Sequence, residues 1–429
     1  MDRLICPGRV SAARIVTVSL LAVWLTLCPL ESVSGQQQTG NAEREQAESQ
    51  QENAESDRAE QEPSLSITEF RPRSMLRNIK LTDLAGARFP AIDIHTHFGF
   101  RMKGSVEKLD EFVQVMDQQN VAMCVSLDAT LGATLDEHQK YLFKRYEDRF
   151  AIFVHIDFQG DGKADEPATW DCHREDFGRR IGMLLKDAKE QGVCGVKFFK
   201  QFGLGYKNPD GSLIQIDDVR WDPIWQACGE LDLPVIIHTG DPAAFFEPID
   251  KFNERYEELS RHPDWSFHGD EFPTRSMLLE ARNRVIVKHS GTKFIGAHMG
   301  GNPEDLKSVG SWLDAYPNLY VEPASRIAEL GRQPYTAREF FIKYQDRILF
   351  GTDGPWPETR VNYYWRFFET RDEYFPYSEK EPPPQGLWQI YGIELPEEVL
   401  KKLYFENACQ LMPALGERYK AAVETLERR

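Results

Sequence analysis

The stretch Ala91-Ile-Asp-Ile-His95-Thr-His97 decides how the fold of this chain is predicted. It is a short apolar run, typical of a buried strand, and it ends in two histidines separated by one residue. Side chains two positions apart on a strand project to the same face, so both imidazoles can reach one cation. A His-x-His pair alone is weak evidence for a metal site, because many such pairs are structural.

Three later segments repeat the pattern of an apolar run that ends in a polar group. They are Pro234-Val-Ile-Ile-His238, Lys293-Phe-Ile-Gly-Ala-His298 and Ile348-Leu-Phe-Gly-Thr-Asp353. In a barrel of parallel strands, residues at the carboxyl ends of the strands meet at one mouth. Neutral imidazoles gathered there suit zinc or another first-row divalent ion, which also accepts a carboxylate. The four segments together therefore predict a metal site.

From residue 89 onward, strand-like and helix-like stretches alternate. The predicted strands are 91–97, 121–128, 150–157, 194–200, 234–238, 293–298, 319–322 and 348–353. Helical patterns between them include 106–120, 135–149, 176–191 and 303–316. Eight strand and helix pairs favour a closed (β/α)8 TIM barrel over an open sheet. The 429 residues exceed the roughly 250 of a plain barrel, so the prediction is one distorted barrel with long βα-loop insertions.

The first 35 residues have the composition of an export signal. Arg3, Arg9 and Arg14 precede an apolar stretch over 15–28, and Val33-Ser-Gly35 offers a small-residue cleavage point. The apolar stretch is shorter than the roughly 20 residues of a membrane helix, although an uncleaved anchor is an alternative. We predict a signal peptide over 1–35 and an exported protein, periplasmic or extracellular in a bacterial cell envelope.

Residues 36–62 are almost all Gln, Glu, Ala, Asn and Ser. A segment with so little apolar surface cannot offset its ordering entropy, so we predict a disordered linker there. Residues 63–429 then form a single barrel domain. The net charge of −17 argues against nucleic acid as a partner. We expect a small-molecule substrate, no stable membrane insertion after signal cleavage, and a homodimer as one option for assembly.

Five cysteines follow Pro63, at an odd count and without any Cys-x-x-Cys pair. Buried free thiols are therefore predicted in preference to a disulfide framework. The cysteines are Cys124, Cys172, Cys194, Cys228 and Cys409.

Three connections are longer than plain βα loops and all follow the carboxyl end of a predicted strand. They span 201–221, 239–273 and 354–390, where barrel enzymes place substrate-binding loops. Aromatic residues in these loops could form the wall of an apolar pocket, or could simply pack the loops onto the barrel. They are Tyr206, Phe245, Phe246, Trp265, Trp356, Tyr363, Tyr364 and Trp365.

The motifs resemble the amidohydrolase superfamily, in particular the amidohydrolase-related branch that includes aminocarboxymuconate semialdehyde decarboxylase. The matching pieces run in order over about 89–410. They are Asp93-Ile-His95-Thr-His97, Gly195-Val-Lys197, Ile237-His238-Thr-Gly, Ala297-His298-Met-Gly-Gly, Gly351-Thr-Asp353 and Glu406-Asn407-Ala408. Their order and spacing are typical of the superfamily and do not select one reaction.

The resemblance implies a divalent metal, usually zinc with manganese as an option, whose ligands are His95, His97, His238 and Asp353. It also implies that Asp353 takes a proton from a metal-activated water, and that His298 polarises the substrate or passes protons. In two-metal members a lysine at the position of Lys197 is carboxylated and bridges the ions. We expect Lys197 to face the barrel unmodified beside one metal, with the two-metal site as the alternative.

Several other polar residues allow more than one interpretation. Arg101 and Arg326 could hold a substrate carboxylate or could simply form surface ion pairs. Lys200 lies three residues after Lys197, so on a regular strand only one of the two lysines would face the barrel. We predict that His138 is a solvated surface residue and that His155 is a core histidine, with a catalytic His155 as the alternative.

Three functions follow from these residues. The first is a metal-dependent hydrolase in which activated water attacks a C–N or C–O acyl bond of a small organic substrate. The second is a metal-dependent non-oxidative decarboxylase, a carbon–carbon lyase acting on an unsaturated or aromatic carboxylic acid. A binding protein that has lost catalysis is the third, and the intact set of histidines and Asp353 argues against it.

Overall fold

The computed structural model describes residues 65, 66, 69 and 72–428 of the chain. The chain divides into two units, Met1–Phe70 and Arg71–Arg429. In the first unit, the backbone N–H of Glu69 donates to the carbonyl of Ser66 at 2.8 Å. The predicted signal peptide and linker, 1–35 and 36–62, lie outside the described residues. All of the elements given below belong to the second unit.

Seven parallel strands form one sheet in the order in which they occur along the chain. Because every neighbour in the sheet is also the next strand in sequence, each connection is a βα crossover that advances by one position. The strands are β1 Ala91–Thr96, β2 Val121–Thr130, β3 Phe150–His155, β4 Gly195–Phe198, β5 Val235–Ile237, β6 Phe294–Gly296 and β7 Leu319–Val321.

The predicted eighth strand, 348–353, is an irregular segment that closes the barrel. Ile348 bridges Val321 of β7, and Gly354 bridges Thr96 of β1, both in parallel. The N–H of Leu349 donates to the carbonyl of Val321, and the N–H of Ile94 donates to the carbonyl of Phe350, each at 3.0 Å. The segment thus joins the last strand to the first. The prediction of a distorted (β/α)8 barrel is confirmed, with seven regular strands and this segment in the eighth position.

The helices follow the strands as predicted, and the four predicted helical stretches are confirmed. The α-helices of the structure are α1 Phe98–Met102, α2 Val106–Gln118, α3 Leu135–Tyr146, α4 Phe177–Glu190, α5 Asp222–Glu230, α6 Tyr256–Leu259, α7 Arg275–Lys288, α8 Leu306–Ala315, α9 Ile327–Leu330, α10 Pro334–Lys343, α11 Glu358–Glu369, α12 Glu397–Lys401, α13 Asn407–Leu411 and α14 Pro413–Glu427.

Helix α2 shows why these stretches become helices. Its N-cap residue Ser105 accepts a hydrogen bond from the backbone N–H of Lys108, which satisfies one of the free donors at the helix start. Leu109, Phe112 and Met116 recur at helical spacing and are buried. The helix therefore turns an apolar face toward the sheet and a polar face outward.

A second, smaller apolar cluster joins strand residues to the C-terminal helices. It includes Phe153, Ile236 and Ile295 from the strands together with Leu411 and Leu415. Ile236 precedes His238 by two residues and therefore shares its strand face, so this cluster lies below the histidines. Helices α13 and α14 thus support the barrel from the side away from the site.

The cysteine prediction is confirmed, because all five cysteines after Pro63 are free and four of them are buried. Among the described residues, no helix combines the length and the apolar composition that crossing a membrane requires.

Candidate metal centre

The two histidines at the end of β1 lie side by side, with ring centroids 5.2 Å apart. Nδ1 of His95 is 2.8 Å from a carboxylate oxygen of Glu322, and Nδ1 of His97 is 2.6 Å from one of Asp128. A carboxylate accepts, so each Nδ1 carries the proton and each Nε2 keeps a free lone pair. The two rings are therefore held in the tautomer that a metal ligand needs.

Both Nε2 atoms are close to one carboxylate oxygen of Asp353. The distances to Oδ1 are 3.4 Å from His97 and 3.7 Å from His95. The three residues form a group whose ligand atoms all lie within 4.8 Å of one another, which is the spacing of a site that could hold a metal ion. The structure thus brings together three of the four predicted ligands.

Asp353 is fixed by its backbone and by a neighbour on the β7 loop. Its φ of 63° lies in the left-handed region, where a residue with a side chain is strained. Ser325, itself at a φ of 55°, donates from its hydroxyl to Oδ2 of Asp353 at 2.9 Å. Burial alone would raise the pKa of Asp353, but the charges of the surrounding imidazoles and Arg101 outweigh it and hold that pKa below its usual value. The carboxylate is ionised and oriented.

His298 occupies a left-handed turn directly after β6. His298 and Met299 have φ values of 57° and 60°, and Gly300 and Gly301 continue at 65° and 71°. Glu322 stabilises this turn by accepting the backbone N–H of His298 at 2.9 Å. The carbonyl of Ala324 lies 2.7 Å from Nδ1 of His298 and can only accept. That contact leaves the His298 Nε2 lone pair free, as a general base requires.

His238 lies in the same site but outside the tight group of His95, His97 and Asp353. Its ring centroid is 4.4 Å from that of His298, and its Nε2 is 3.9 Å from Oδ1 of Asp241. Nε2 of His238 is buried without a hydrogen-bond partner. A buried polar atom without a partner is costly, and coordination of a metal ion by this nitrogen would satisfy it. This unsatisfied nitrogen fits the predicted role of His238 as a metal ligand.

Three imidazoles of the site, those of His95, His238 and His298, have lowered pKa values. Burial, followed by the charge of Lys197, lowers the pKa of His95 well below its usual value. Burial likewise dominates for His238 and His298, with nearby positive charge adding to the effect. Metal binding requires deprotonated ligands, so these shifts favour binding of a cation without proton release.

Lys197 faces the site, as predicted. Its Nζ lies 3.3 Å from Nε2 of His95, and burial lowers its pKa to about 8. The prediction that only one of the two lysines faces the site is wrong, because Lys200 also borders the cavity. Strand β4 ends at Phe198, so the alternation of a strand no longer fixes the direction of Lys200. Its ammonium forms an ion pair with Asp241.

A cavity of about 470 Å³ opens over these groups. It is bordered by His95, His97, Gly99, Phe100, Arg101, Asp128, His155, Lys197, Phe199, Lys200, Gln201, His238, His298 and Asp353. All four predicted metal ligands border the cavity, so it is the candidate substrate pocket. None of the predicted loop aromatics borders this cavity, which favours the alternative that they pack the loops onto the barrel. The aromatic side chains that border it are Phe100, in helix α1 after β1, and Phe199, which directly follows β4.

The two arginines differ in position. Arg101 borders the cavity, and its Nη2 donates to the backbone carbonyl of Asp353 at 2.9 Å. Arg326 is buried and is not among the cavity residues. Its Nη1 donates to the carbonyl of Ser325 at 2.8 Å. Arg101 can therefore contact a substrate directly, whereas Arg326 supports the loop that carries Ser325.

Two histidines behave differently from their predictions. His138 is partly buried, and its Nε2 lies 2.8 Å from the hydroxyl of Ser126 on β2, so the surface prediction is wrong. A polar helix pattern does not reveal that this one residue turns inward. His155 borders the cavity beside Phe199 instead of lying in the core. Its position at the carboxyl end of β3 is the signal that could have identified it.

A family model described as Amidohydrolase matches residues 92–413. This range covers most of the chain, so the protein belongs to that amidohydrolase family.

A curated relative, the 4-sulfomuconolactone hydrolase of Hydrogenophaga intermedia, is 23% identical over 214 residues, which are 48% of this chain. The chain spans 59% of that relative's length. Among solved structures, an uncharacterised TIM-barrel protein of Bordetella bronchiseptica is 14% identical with a TM-score of 0.46, covering 76% of this chain and 99% of that chain. A 2,6-dihydroxybenzoate decarboxylase from Rhizobium is 15% identical with a TM-score of 0.44, covering 76% and 98%.

Proposed function

We propose that this protein is a metal-dependent hydrolase that opens the acyl C–O bond of a small lactone or ester, with a C–N acyl bond as the related option. One observation carries the proposal: the Nε2 lone pairs of His95 and His97 converge on Asp353, and the unsatisfied Nε2 of His238 lies in the same cavity. The relative named as a lactone hydrolase supports a lactone over other acyl compounds.

His95, His97, His238 and Asp353 would hold the ion, most simply one zinc. A bound divalent cation would polarise the acyl carbonyl and lower the pKa of a water molecule toward about 7. Oδ2 of Asp353 is occupied by the hydroxyl of Ser325, so Oδ1 is the atom that faces the reacting groups. Asp353 would accept the proton of the attacking water and return it to the departing oxygen.

His298 would contact the substrate from a position beside His95 and His238. Its Nδ1 proton is held by the carbonyl of Ala324, so the ring presents a free Nε2 lone pair and cannot rotate without breaking that hydrogen bond. It would accept a hydrogen bond from the attacking water or from the departing hydroxyl. The left-handed turn at His298 fixes this direction in the folded chain.

The test is hydrolysis of a panel of small lactones by the zinc-loaded full chain in water enriched in oxygen-18. We expect one heavy oxygen atom in each product acid, seen by mass spectrometry. Asp353→Asn should lower kcat by about 10²-fold or more, because it removes the proton acceptor. Asp165→Asn, an exposed aspartate, is the matched control and should keep full activity.

The same mass spectra separate the hydrolase from the decarboxylase. Aromatic and unsaturated acids are included in the panel for this purpose. Release of carbon dioxide without incorporation of heavy oxygen would reject the hydrolase and support the carbon–carbon lyase. Turnover that is unchanged in Asp353→Asn would reject both mechanisms, since each depends on that carboxylate.

A further inference from the structure

The side chains that border the cavity include more positive than negative groups, unlike the protein as a whole. Three cationic side chains, Arg101, Lys197 and Lys200, border it, against the two carboxylates of Asp128 and Asp353. The chain as a whole carries a net charge of −17. A surplus of cationic side chains around a cavity attracts anionic groups of a substrate. Any bound divalent cation would increase this difference.

Among the three cationic side chains of the cavity, Arg101 is the one with N–H donors still available to a substrate. Lys200 forms an ion pair with Asp241, and Lys197 is fully buried beside His95. The Arg101 side chain is 28% exposed, and of its five N–H donors one is used by the carbonyl of Asp353. Its distance to the Asp353 carboxylate is 4.0 Å, which is too long for a strong ion pair.

Trp356 holds the Arg101 guanidinium in place. The indole lies under it at 3.8 Å from the ring centroid, and Nε1 of the indole donates to the carbonyl of Thr352 at 2.8 Å. Arg360 covers the other face of the same ring at 3.5 Å. Two cations on one indole repel each other. Within the described part of the chain, no carboxylate forms an ion pair with Arg360, so an anion beside Arg101 would relieve this repulsion.

We propose that Arg101, positioned by Trp356 and Arg360, binds an acid group of the substrate, so that the site accepts small planar anions. The inference rests on the proposed function and names its substrate class: lactones or esters that carry a carboxylate or a sulfonate. The guanidinium fork matches both acid groups. Phe100 and Phe199 border the same cavity and supply flat apolar surfaces for the ring that carries the acid group.

The test measures binding instead of turnover. Benzoate and benzenesulfonate are titrated calorimetrically into the full chain, each beside its neutral amide, benzamide or benzenesulfonamide. We expect the anions to bind at least about tenfold more tightly than the amides, and Arg101→Gln to remove that preference. Arg101→Lys should retain part of it, because the charge stays but the planar fork is lost. Trp356→Leu should reduce the preference while the affinity for the amides changes little.

Arg284→Gln is the matched control, because it removes an exposed arginine whose side chain is 60% exposed. Each titration is repeated after chelation, and the preference should persist since Arg101 supplies it. Equal binding of anion and amide, an unchanged preference in Arg101→Gln, or its loss on chelation would overturn the inference. If Arg101→Gln does not fold, the inference is tested with Arg101→Lys and with the comparison of anions and amides in the wild-type protein.

The anion site and the proposed hydrolase activity can each be overturned without the other. Hydrolysis of neutral lactones at the same rate as acidic ones overturns the anion site and leaves the hydrolase intact. Selective anion binding without hydrolysis of any lactone leaves the anion site intact and overturns the hydrolase.

Discussion

Nδ1 of His95 lies 2.8 Å from Oε1 of Glu322, and both side chains are closed to solvent, with exposures of 1% and 0%. The same oxygen accepts the backbone N–H of His298, and the other oxygen accepts the N–H of Ala324. One carboxylate at the end of β7 therefore sets the tautomer of a metal-ligand candidate and the backbone of the acid–base candidate. Glu322 acts as a positioning residue for both.

Glu322→Gln tests this role. An amide would turn its NH2 group toward one of the backbone N–H donors, and two donors cannot pair. We expect zinc affinity, measured by competition with a chromophoric chelator, to fall by about 10- to 100-fold. Glu339→Gln, an exposed glutamate on α10, should leave the affinity unchanged. Equal zinc affinity in wild type and Glu322→Gln would contradict the role.

Metal content tests the ligand set. Elemental analysis of the purified protein should find about one zinc or manganese per chain. His95→Ala and Asp353→Ala should each lose the ion, because each removes a ligand from a site with few ligands. His262→Ala serves as control, since His262 is an exposed histidine that stacks on Trp265. Two ions per chain would favour a carboxylated Lys197, and no ion under metal-replete conditions would refute the centre.

Gly301→Ala tests the left-handed turn after β6. A Cβ there would stand 2.4 Å from the backbone oxygen of Thr239, the residue after His238, at a φ of 71°. We expect a loss of more than about 2 kcal/mol in the free energy of unfolding, together with impaired metal binding. Gly211→Ala has a φ of 87° but no atom within 4 Å of its added Cβ.

The Gly211→Ala control introduces backbone strain without a steric clash. It should cost about 1 kcal/mol and should not affect the metal. Urea unfolding of both variants measures the difference. Equal destabilisation of the two would show that the contact with Thr239 is unimportant.

The ion pair of Asp218 and Arg220 provides a test by pH. Arg220 donates to both carboxylate oxygens of Asp218, and these hydrogen bonds hold the pKa of Asp218 below its usual value despite partial burial. A carboxyl with a lowered pKa in the folded chain stabilises the fold above its unfolded pKa. The contribution is lost as pH falls through the lower folded value.

Asp218→Asn should therefore lower the free energy of unfolding by about 1 kcal/mol at pH 7. The difference from wild type should shrink below about pH 4, where the carboxyl of the unfolded chain becomes protonated. Urea unfolding across this range measures it, and Asp165→Asn provides the exposed control. A difference that grows as the pH falls would have the wrong sign.

The central residues of the site could be predicted from the sequence because they share a local pattern. His95, His238, His298 and Asp353 each follow an apolar run, and parallel strands carry such ends to one mouth. This signature also predicted Lys197 at the carboxyl end of β4. Seven of the eight predicted strands formed, and the eighth is irregular because Asp353 adopts a left-handed backbone that a regular strand cannot contain.

The supporting residues could not be read from the sequence in the same way. Glu322, Asp128 and Ser325 act through distances to residues far away in the chain, and no local pattern encodes those pairings. Glu322 did follow a predicted strand, so its position carried a signal that a search for histidines passed over. The direction of Lys200 depended on where β4 ends, and strand ends are the least certain part of a prediction.

The closing segment between β7 and β1 has a consequence for the order of events during synthesis. It carries Asp353, while the histidines paired with that residue lie near the start of the barrel, so most of the domain must be made before the set can assemble. A partly synthesised chain has imidazoles but no aspartate to complete the group. Binding of an ion by this group would therefore report that the first and last parts of the barrel have met, and we expect that a fragment ending before residue 353 does not retain an ion.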